Sequence, residues 1–280
     1  MIEILISTMR REGIERIASL SHPEMHDVRY LVSWQCGDMS AIPQSIACRD
    51  DFKVVLEDSV GLSKNRNNAL RHAEADWVLI SDDDLIYTQS HLNNAIKAFE
   101  NNSDCSVLAF KYESDDFPRE YPEKEFNLDS PPKGYFTVSF EIGLNLKRLR
   151  EELNRDVIPA FNENFGLGAR FGSGEEDLFI AGLMQNRLTG RFIPVSICEH
   201  PGPTTGIKQK TVDGFIQTKG AVIYRLRPLT WPLRMILYAW RSASDKTDRI
   251  PFFHYLRNFL AGIKTARKFR VYDFNLFMKK

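Results

Sequence analysis

Ala75-Asp76-Trp77-Val78-Leu79-Ile80-Ser81-Asp82-Asp83-Asp84 is the stretch on which the fold reading turns. The apolar run Trp77 to Ile80, with aromatic and β-branched members, predicts a short buried strand. That strand runs into three adjacent carboxylates, which repel one another and resist burial without a positive partner. In an open α/β sheet, ligands bind beyond the carboxyl ends of the strands, so a divalent cation is the expected counter-charge. Mg²⁺ or Mn²⁺ held by one or two carboxylates usually completes its shell with substrate phosphates. Taken alone, the triplet reads equally well as an Asp-rich turn ahead of a helix beginning near Ser90.

Outward from that strand, apolar runs and helical spacings alternate. Strands are predicted at Ile2 to Ile6, Val28 to Trp34, Phe52 to Leu56 and Cys105 to Tyr112. Helices are predicted at Glu12 to Leu20, Gly61 to Ala73 (with Ser63 as N-cap) and His91 to Asn101. The β-α-β-α order implies a doubly wound, mostly parallel sheet. Glu113 to Gly134 is rich in Asp, Glu and Pro and reads as a long surface loop. Beyond it come a strand at Tyr135 to Phe140, a helix at Ile142 to Leu153 and a glycine- and aromatic-rich loop at Phe161 to Gly174. A helix at Glu175 to Gln185 and a strand at Arg191 to Cys198 follow, ending at His200. After Lys219, aromatic-rich amphipathic helices at Trp231 to Ser242 and Pro251 to Phe269 form an appendage.

With 280 residues, 43% of them hydrophobic, the chain can bury a full core in one large domain with an appendage. Lys+Arg and Asp+Glu are equal at 37 each, so overall charge gives no pointer to nucleic acid, and no nucleic-acid partner is expected. The distribution is uneven. Arg225 to Lys280 carries 13 Lys/Arg against three acids, net +10, which leaves net −10 on the first 224 residues. An acidic body with a basic tail suggests a tail facing an anionic surface. Four cysteines without short spacing indicate neither a zinc site nor a disulfide framework and fit a reducing compartment. No signal-peptide pattern or membrane-length run is seen, so a cytoplasmic location is expected.

Three further groups of residues carry chemistry. Gly61-Leu62-Ser63-Lys64-Asn65-Arg66-Asn67 puts cationic and amide side chains in the first turns of a helix, where anions are favoured. By itself it is better read as a capped helix with solvated basic residues. Gly174-Glu175-Glu176-Asp177 places three acids at a helix start. Ordinary capping accounts for them, and a general base taking a proton from an attacking hydroxyl is the functional alternative. His200 ends an apolar strand; a lone histidine is usually structural, but beside carboxylates a neutral imidazole is a reasonable further metal ligand.

In this order, the segments resemble the GT-A glycosyltransferases, in particular the inverting family 2 enzymes of bacterial surface-polysaccharide synthesis. Gly61-Leu62-Ser63 with Arg66-Asn67 is similar to that family's Gly-Leu-Ser-x-x-Arg-Asn segment. Ala75 to Asp84 resembles its strand and Asp-x-Asp motif. Phe161-Asn162-Glu163-Asn164-Phe165-Gly166 with Gly174 to Asp177 resembles its acceptor loop and catalytic acid, and His200 the histidine after its last core strand. The likeness spans about residues 1 to 215.

The resemblance implies a metal-dependent hexosyltransferase using Mn²⁺ or Mg²⁺, a nucleotide-diphosphate sugar donor and a glycan or lipid-linked acceptor. Thr8, Arg66, Asn67, Asp82 and Asp83 would bind the nucleotide sugar, with Asp84, Asp82 and His200 at the metal. The base would come from Glu176 or Asp177, with Glu175 beside them. Departures are Ser7-Thr8-Met9 where the family usually has Pro-Thr-Tyr-Asn, and Ser33-Trp34-Gln35 where an acid is common. A uridine nucleotide is the default expectation. Alternatives are a nucleotidyltransferase of related fold, for which Met9-Arg10-Arg11-Glu12-Gly13 is a poor phosphate loop, and a non-catalytic sugar- or lipid-binding scaffold.

The expected organisation is a GT-A domain over 1–222 and a basic amphipathic helical region over 223–280. In that region Leu256, Phe259, Leu260 and Ile263 recur at helical spacing among Arg257, Lys264, Arg267 and Lys268. Such a helix either lies on an anionic membrane surface, peripheral to the inner face of the plasma membrane, or packs its stripe on the catalytic domain.

Overall fold

A computed structural model describes residues 1–153, 157–202, 213–269 and 277–279. The C-terminal region therefore includes residues, 270–276 and 280, that lie outside the described set. Strand β1 (Ile2–Met9) is buried along almost its whole length, as a central parallel strand should be. It is flanked in parallel by β2 (Val28–Gln35) and β4 (Trp77–Asp82), and β2 by β3 (Phe52–Glu57). Connecting them are α1 (Arg10–Ser19), the single turn α2 (Gln44–Ala47) and α3 (Leu62–His72). Helix α4 (Gln89–Asn101), capped by Thr88, leads to β5 (Val107–Glu113). Further along lie β6 (Phe126–Asn127), β7 (Ile142–Asn145), α5 (Leu146–Leu153), β8 (Val157–Pro159), α6 (Glu175–Gln185) and β9 (Gly190–Glu199). The main sheet has eight strands in the order β3-β2-β1-β4-β7-β5-β9-β6.

The two-residue period of the strands divides the core. Ile4, Ile6 and Leu79 pack with Ile14 and Ile17 of α1 and Leu92 and Phe99 of α4. Leu5, Val78 and Ile80 pack on the other face with Ala69 and Leu70 of α3 and Phe179 and Leu183 of α6. Helices therefore cover both faces, which is the doubly wound, mostly parallel arrangement that the sequence predicts.

Three local expectations are corrected. The strand expected at 135–140 and the helix expected from Ile142 are displaced. Residues Ser139–Glu141 form a 3-10 turn, Ile142–Asn145 is the antiparallel strand between β4 and β5, and the helix starts at Leu146. Ile142 and Leu144 share one buried face, and Gly143 between them admits the rings of Phe99 and Phe110. A Cβ there would sit 2.7 Å from Phe99 Cζ. Secondly, the 113–134 loop returns a short strand, β6, to pair with β9. Thirdly, Gly61 rather than Ser63 occupies the N-cap of α3, and the Ser63 hydroxyl donates to the Phe165 carbonyl at 2.6 Å.

The chain continues as α7 (Asp213–Leu226), unbroken across residue 222, then α8 (Trp231–Ala243) and α9 (Phe252–Ala266). Strand β10 (Phe277–Lys279) pairs antiparallel with β8. Ala221 and Val222 of α7 pack on Phe165, Phe171 and Leu178. On its other side, α7 presses Ile216 against Tyr255, Phe259 and Ile263 of α9. The two helices touch backbone to backbone: side chains at Gly220 and Gly262 would overlap the carbonyls of Phe259 and Gln217. Of the stripe on the last helix, Phe259 and Ile263 are thus spent on protein packing, Leu256 is partly buried against the same cluster, and Leu260 is exposed.

Candidate active site

Parallel pairing of β1 and β4 puts Ser7 opposite Asp82, so Thr8 and Asp83 emerge together at the carboxyl edge of the sheet. The Thr8 hydroxyl donates to Asp83 Oδ2 at 2.5 Å and Arg16 Nη1 to Asp83 Oδ1 at 2.6 Å. Just beyond, Ile86 and Glu199 exchange two backbone hydrogen bonds of 2.9 Å. That pair fixes the end of β9 beside the aspartates and brings His200 Nε2 to 3.7 Å from Asp84 Oδ2. The imidazole lies flat on Phe140, ring centroids 5.1 Å apart.

Helix α3 supplies the link to the second acidic group. Its side chains are pinned at several points: Asn65 donates to the Thr8 carbonyl (2.8 Å), and Asn68 to Ser33 Oγ (2.9 Å). Arg66, fully enclosed, donates from Nη2 to Asp82 Oδ1 (2.8 Å) and Ser139 Oγ (2.7 Å), and from Nη1 to Glu175 Oε1 (2.9 Å). A planar guanidinium can span two carboxylates in this way, whereas an ammonium cannot. The arginine is thus engaged by protein groups on either side of the cleft.

At the start of α6 the three acids have different surroundings. Glu175 is buried against Arg66. Glu176 has a buried Oε2 without a hydrogen-bond partner, and burial, then the charges of Glu175 and Asp177, hold its carboxyl well above the ordinary range. Asp177 lies on the cavity lining with part of its surface open to solvent; desolvation by the protein packed around it, then the charge of Glu175, pushes its carboxyl up to about 6. The preceding Gly174 has φ +88°, and a Cβ there would lie 2.6 Å from Val222 Cγ2. The turn that aims these acids therefore depends on a glycine.

All of these groups border one cavity of about 850 Å³. It takes in Thr8, Arg66, Asp82, Asp83, Asp84, Glu175, Glu176, Asp177 and His200, every site residue expected from the sequence except one. The exception is Asn67. Its amide is buried and occupied by the backbone of Phe161, donating to the carbonyl at 2.9 Å and accepting from the N–H at 2.7 Å. It anchors the 161–174 loop and does not reach the cavity.

The sequence reading missed Arg16, Gln35, Ser139 and Lys219, all on the cavity wall. Gln35 donates to the carbonyls of Ser59 and Gly61, and Lys219 Nζ lies 4.1 Å from the centre of the Tyr238 ring. Burial, then the nearby Arg241, lowers the Lys219 pKa. Apart from Gln35, in the segment where the resembling family commonly has an acid, nothing in the local sequence marks these residues. Each reaches the cavity through register or through the C-terminal helices.

The donor set suits a hard divalent cation. Arg66 takes one oxygen of Asp82, and the only ionic neighbour within 4 Å of Asp84 among the described residues is His200. Burial and the adjacent Asp82 push the Asp84 carboxyl upward, the strain a cation would relieve. No cluster of three or more metal-ligating side chains exists among the described residues, so a cation here would need further ligands from substrate or water. His200 fits less well as a ligand. Its Nδ1 accepts from the Gly202 N–H at 3.2 Å, which leaves the proton of the neutral ring on Nε2, facing Asp84.

An open sheet with acidic groups gathered at its carboxyl edge has its site where ligands bind in doubly wound α/β folds, of which the nucleotide-sugar-transferase fold called GT-A is one. Residues 44–161 match the family described as glycosyl transferase family 2. The fold is similar to that of residues 1–349 of TarS from S. aureus, with TM-score 0.56 and 16% identity over 95% of this chain and 91% of that one. The same values hold for that protein in complex with UDP-GlcNAc. It also resembles the mannosyltransferase PcManGT from Pyrobaculum calidifontis in complex with GDP-Man and Mn²⁺. There the TM-score is 0.50 and the identity 13%, over 95% of this chain and 73% of that one. No curated protein matches the chain. The chain thus has the GT-A fold, and its residues 44–161 carry a glycosyl transferase family 2 segment.

Proposed function

We propose that this cavity transfers a sugar from a nucleotide-diphosphate sugar to a hydroxyl of a glycan or lipid-linked acceptor, with inversion at the anomeric carbon, in surface-polysaccharide assembly. One observation carries the reading: Asp82 to Asp84 and Glu175 to Asp177 border the same cavity, tied together through Arg66. The family match and the nucleotide-sugar complexes of the similar structures support it.

Among the three α6 acids, Asp177 is the proposed base. Glu175 is committed to Arg66, and burial, then the charges of Glu175 and Asp177, disfavours the ionised form of Glu176. Asp177 faces the cavity without an ion-pair partner among the described residues and ionises below neutral pH, so it can accept the acceptor's proton as the hydroxyl attacks. Thr8 and Arg16 hold Asp83 steady for the ribose, and Arg66 braces the acids rather than gripping a phosphate. Asp84, with the free oxygen of Asp82, would hold Mn²⁺ or Mg²⁺, which when bound neutralises charge on the departing diphosphate. His200 Nε2–H would donate to that diphosphate.

The test is nucleotide release from a panel of nucleotide sugars, with Mn²⁺, with Mg²⁺ and with chelator. Release of a nucleoside diphosphate from at least one donor, lost with chelator, is expected. No turnover and no binding of any nucleotide sugar would overturn the proposal.

A further inference from the structure

Helix α8 is apolar on two sides, and only one of them is spent. Trp231, Met235, Tyr238 and Ala239 point inward onto the cluster formed by Ile216, Tyr255 and Phe259. Among the described residues the opposite stripe is left open: Leu233 is 72% exposed, Ile236 51%, Leu237 42% and Trp240 62%. These four recur at i, i+3, i+4 and i+7, so they form one continuous ridge. Leu229, just before the helix, is 92% exposed, and Phe253 at the start of α9 is exposed as well. Scattered apolar residues on a surface need no explanation, but a ridge of this kind marks an interaction site.

The charges around the ridge select its partner. Helix α8 has no acidic residue, and Arg234 and Arg241 fall at the edges of the stripe, with Arg227 just ahead of it. Arg225 to Lys280 as a whole carries net +10. An apolar ridge with a tryptophan, edged by arginines and free of acids, matches the boundary layer of an anionic bilayer. There apolar side chains enter the acyl region and cations meet lipid phosphates. No helix among the described residues is long and apolar enough to cross a membrane, so the helix would lie in the interface plane.

We propose that the Leu233–Ile236–Leu237–Trp240 ridge of α8 docks the protein onto an anionic lipid surface. The stripe on α9 is not the docking element, because Phe259 and Ile263 are buried against α7. Docking through α8 also sets the cavity's orientation. Tyr238, on the inner side of the same helix, lies against Lys219 of the cavity wall, so the cavity stays close to the lipid headgroups.

The test is sedimentation with vesicles of phosphatidylcholine alone and of phosphatidylcholine with phosphatidylglycerol, at low and high salt. The wild type should pellet with the phosphatidylglycerol vesicles and less so at high salt. The double variant Leu233→Ser, Trp240→Ser should lose on the order of 10-fold or more in vesicle partitioning. Its thermal unfolding and nucleotide release should be unchanged, because among the described residues neither side chain belongs to the buried cluster under α8 or to the cavity lining. Failure of the wild type to pellet with either vesicle, or equal pelleting of the variant, would overturn docking. So would a wild-type dimer in light scattering that the variant abolishes, since a second copy would then cover the ridge. Should vesicle binding follow the expected pattern while no donor turns over, docking stands and the transfer reading falls alone.

Discussion

Arg66 Nη1 donates to Glu175 Oε1 at 2.9 Å across 109 residues of sequence, and this bond closes the site. The same guanidinium holds Asp82, so one buried cation neutralises an acid from each side of the cleft. Removing it leaves Glu175 buried and unpaired. Breaking a buried pair by deleting one partner typically costs about 3–5 kcal/mol. Arg66→Met should therefore lower unfolding stability by about that amount in urea titration. Arg66→Lys should recover only part of it, because a point charge cannot serve both carboxylates and Ser139. A fully stable Arg66→Met protein would mean that the strut is not needed.

Asp177 gives a pH signature. A base works only when ionised, and its pKa is raised to about 6, so activity should rise with pH through about 6 and level off above it. Asp177→Asn should lose about 10²- to 10⁴-fold in kcat while donor binding is kept. It should also lose the acid limb from whatever activity remains. Glu176→Gln changes a group whose ionised form burial already disfavours and should cost far less. Equal rates for wild type and Asp177→Asn in a transfer assay would remove Asp177 as the base.

Asp84 and Asp83 should separate by metal. Asp83 is tied to Thr8 and Arg16, whereas Asp84 has no hydrogen-bonded cation among the described residues and faces the cavity. The Asp84→Asn protein should lose the extra thermal stabilisation that Mn²⁺ gives in the presence of a nucleoside diphosphate. Asp83→Asn should keep the metal response and weaken the nucleotide's own effect. Melting curves with and without metal and nucleotide measure both. A metal response intact in Asp84→Asn would take this carboxylate out of the metal site.

Much of this was legible in the sequence because local pattern and tertiary role coincide. Trp77 to Ile80 is apolar because β4 is covered on both faces, and the acids at 82–84 and 175–177 directly follow the elements that deliver them. What was not legible depends on distance. Asn67 sits one residue from Arg66, yet the helix turns it away from the cavity to hold Phe161. Lys219 joins the cavity only because α7 packs on α6 and the 161–174 loop. The strand β7 was hidden because Ile142-Gly143-Leu144 is too short to distinguish period two from a helix start. On α8 and α9 the apolar stripes look alike in sequence, and only the fold says which is covered.

The crossing of α7 and α9 has a similarly sharp requirement. A methyl on Gly262 would overlap the Gln217 carbonyl, and the neighbour is backbone, which cannot rotate aside as a side chain would. Relief requires the helices to separate, which opens the contacts of Ile216 with Phe259 and Ile263. Overpacking of this kind usually costs about 1–3 kcal/mol. Because α7 carries Thr218, Lys219 and Val222 on the cavity wall, the shift should also reach the site. Gly262→Ala should therefore lower the melting temperature and raise KM for the acceptor more than it lowers kcat. Gly214, on the same helix α7, has no neighbour among the described residues within 4 Å of where a Cβ would go. Gly214→Ala should be neutral or stabilising by up to about 1 kcal/mol, since alanine restricts the unfolded chain. Calorimetry on the two variants decides between them: if Gly262→Ala melts at or above the wild-type temperature, α7 and α9 do not depend on backbone contact.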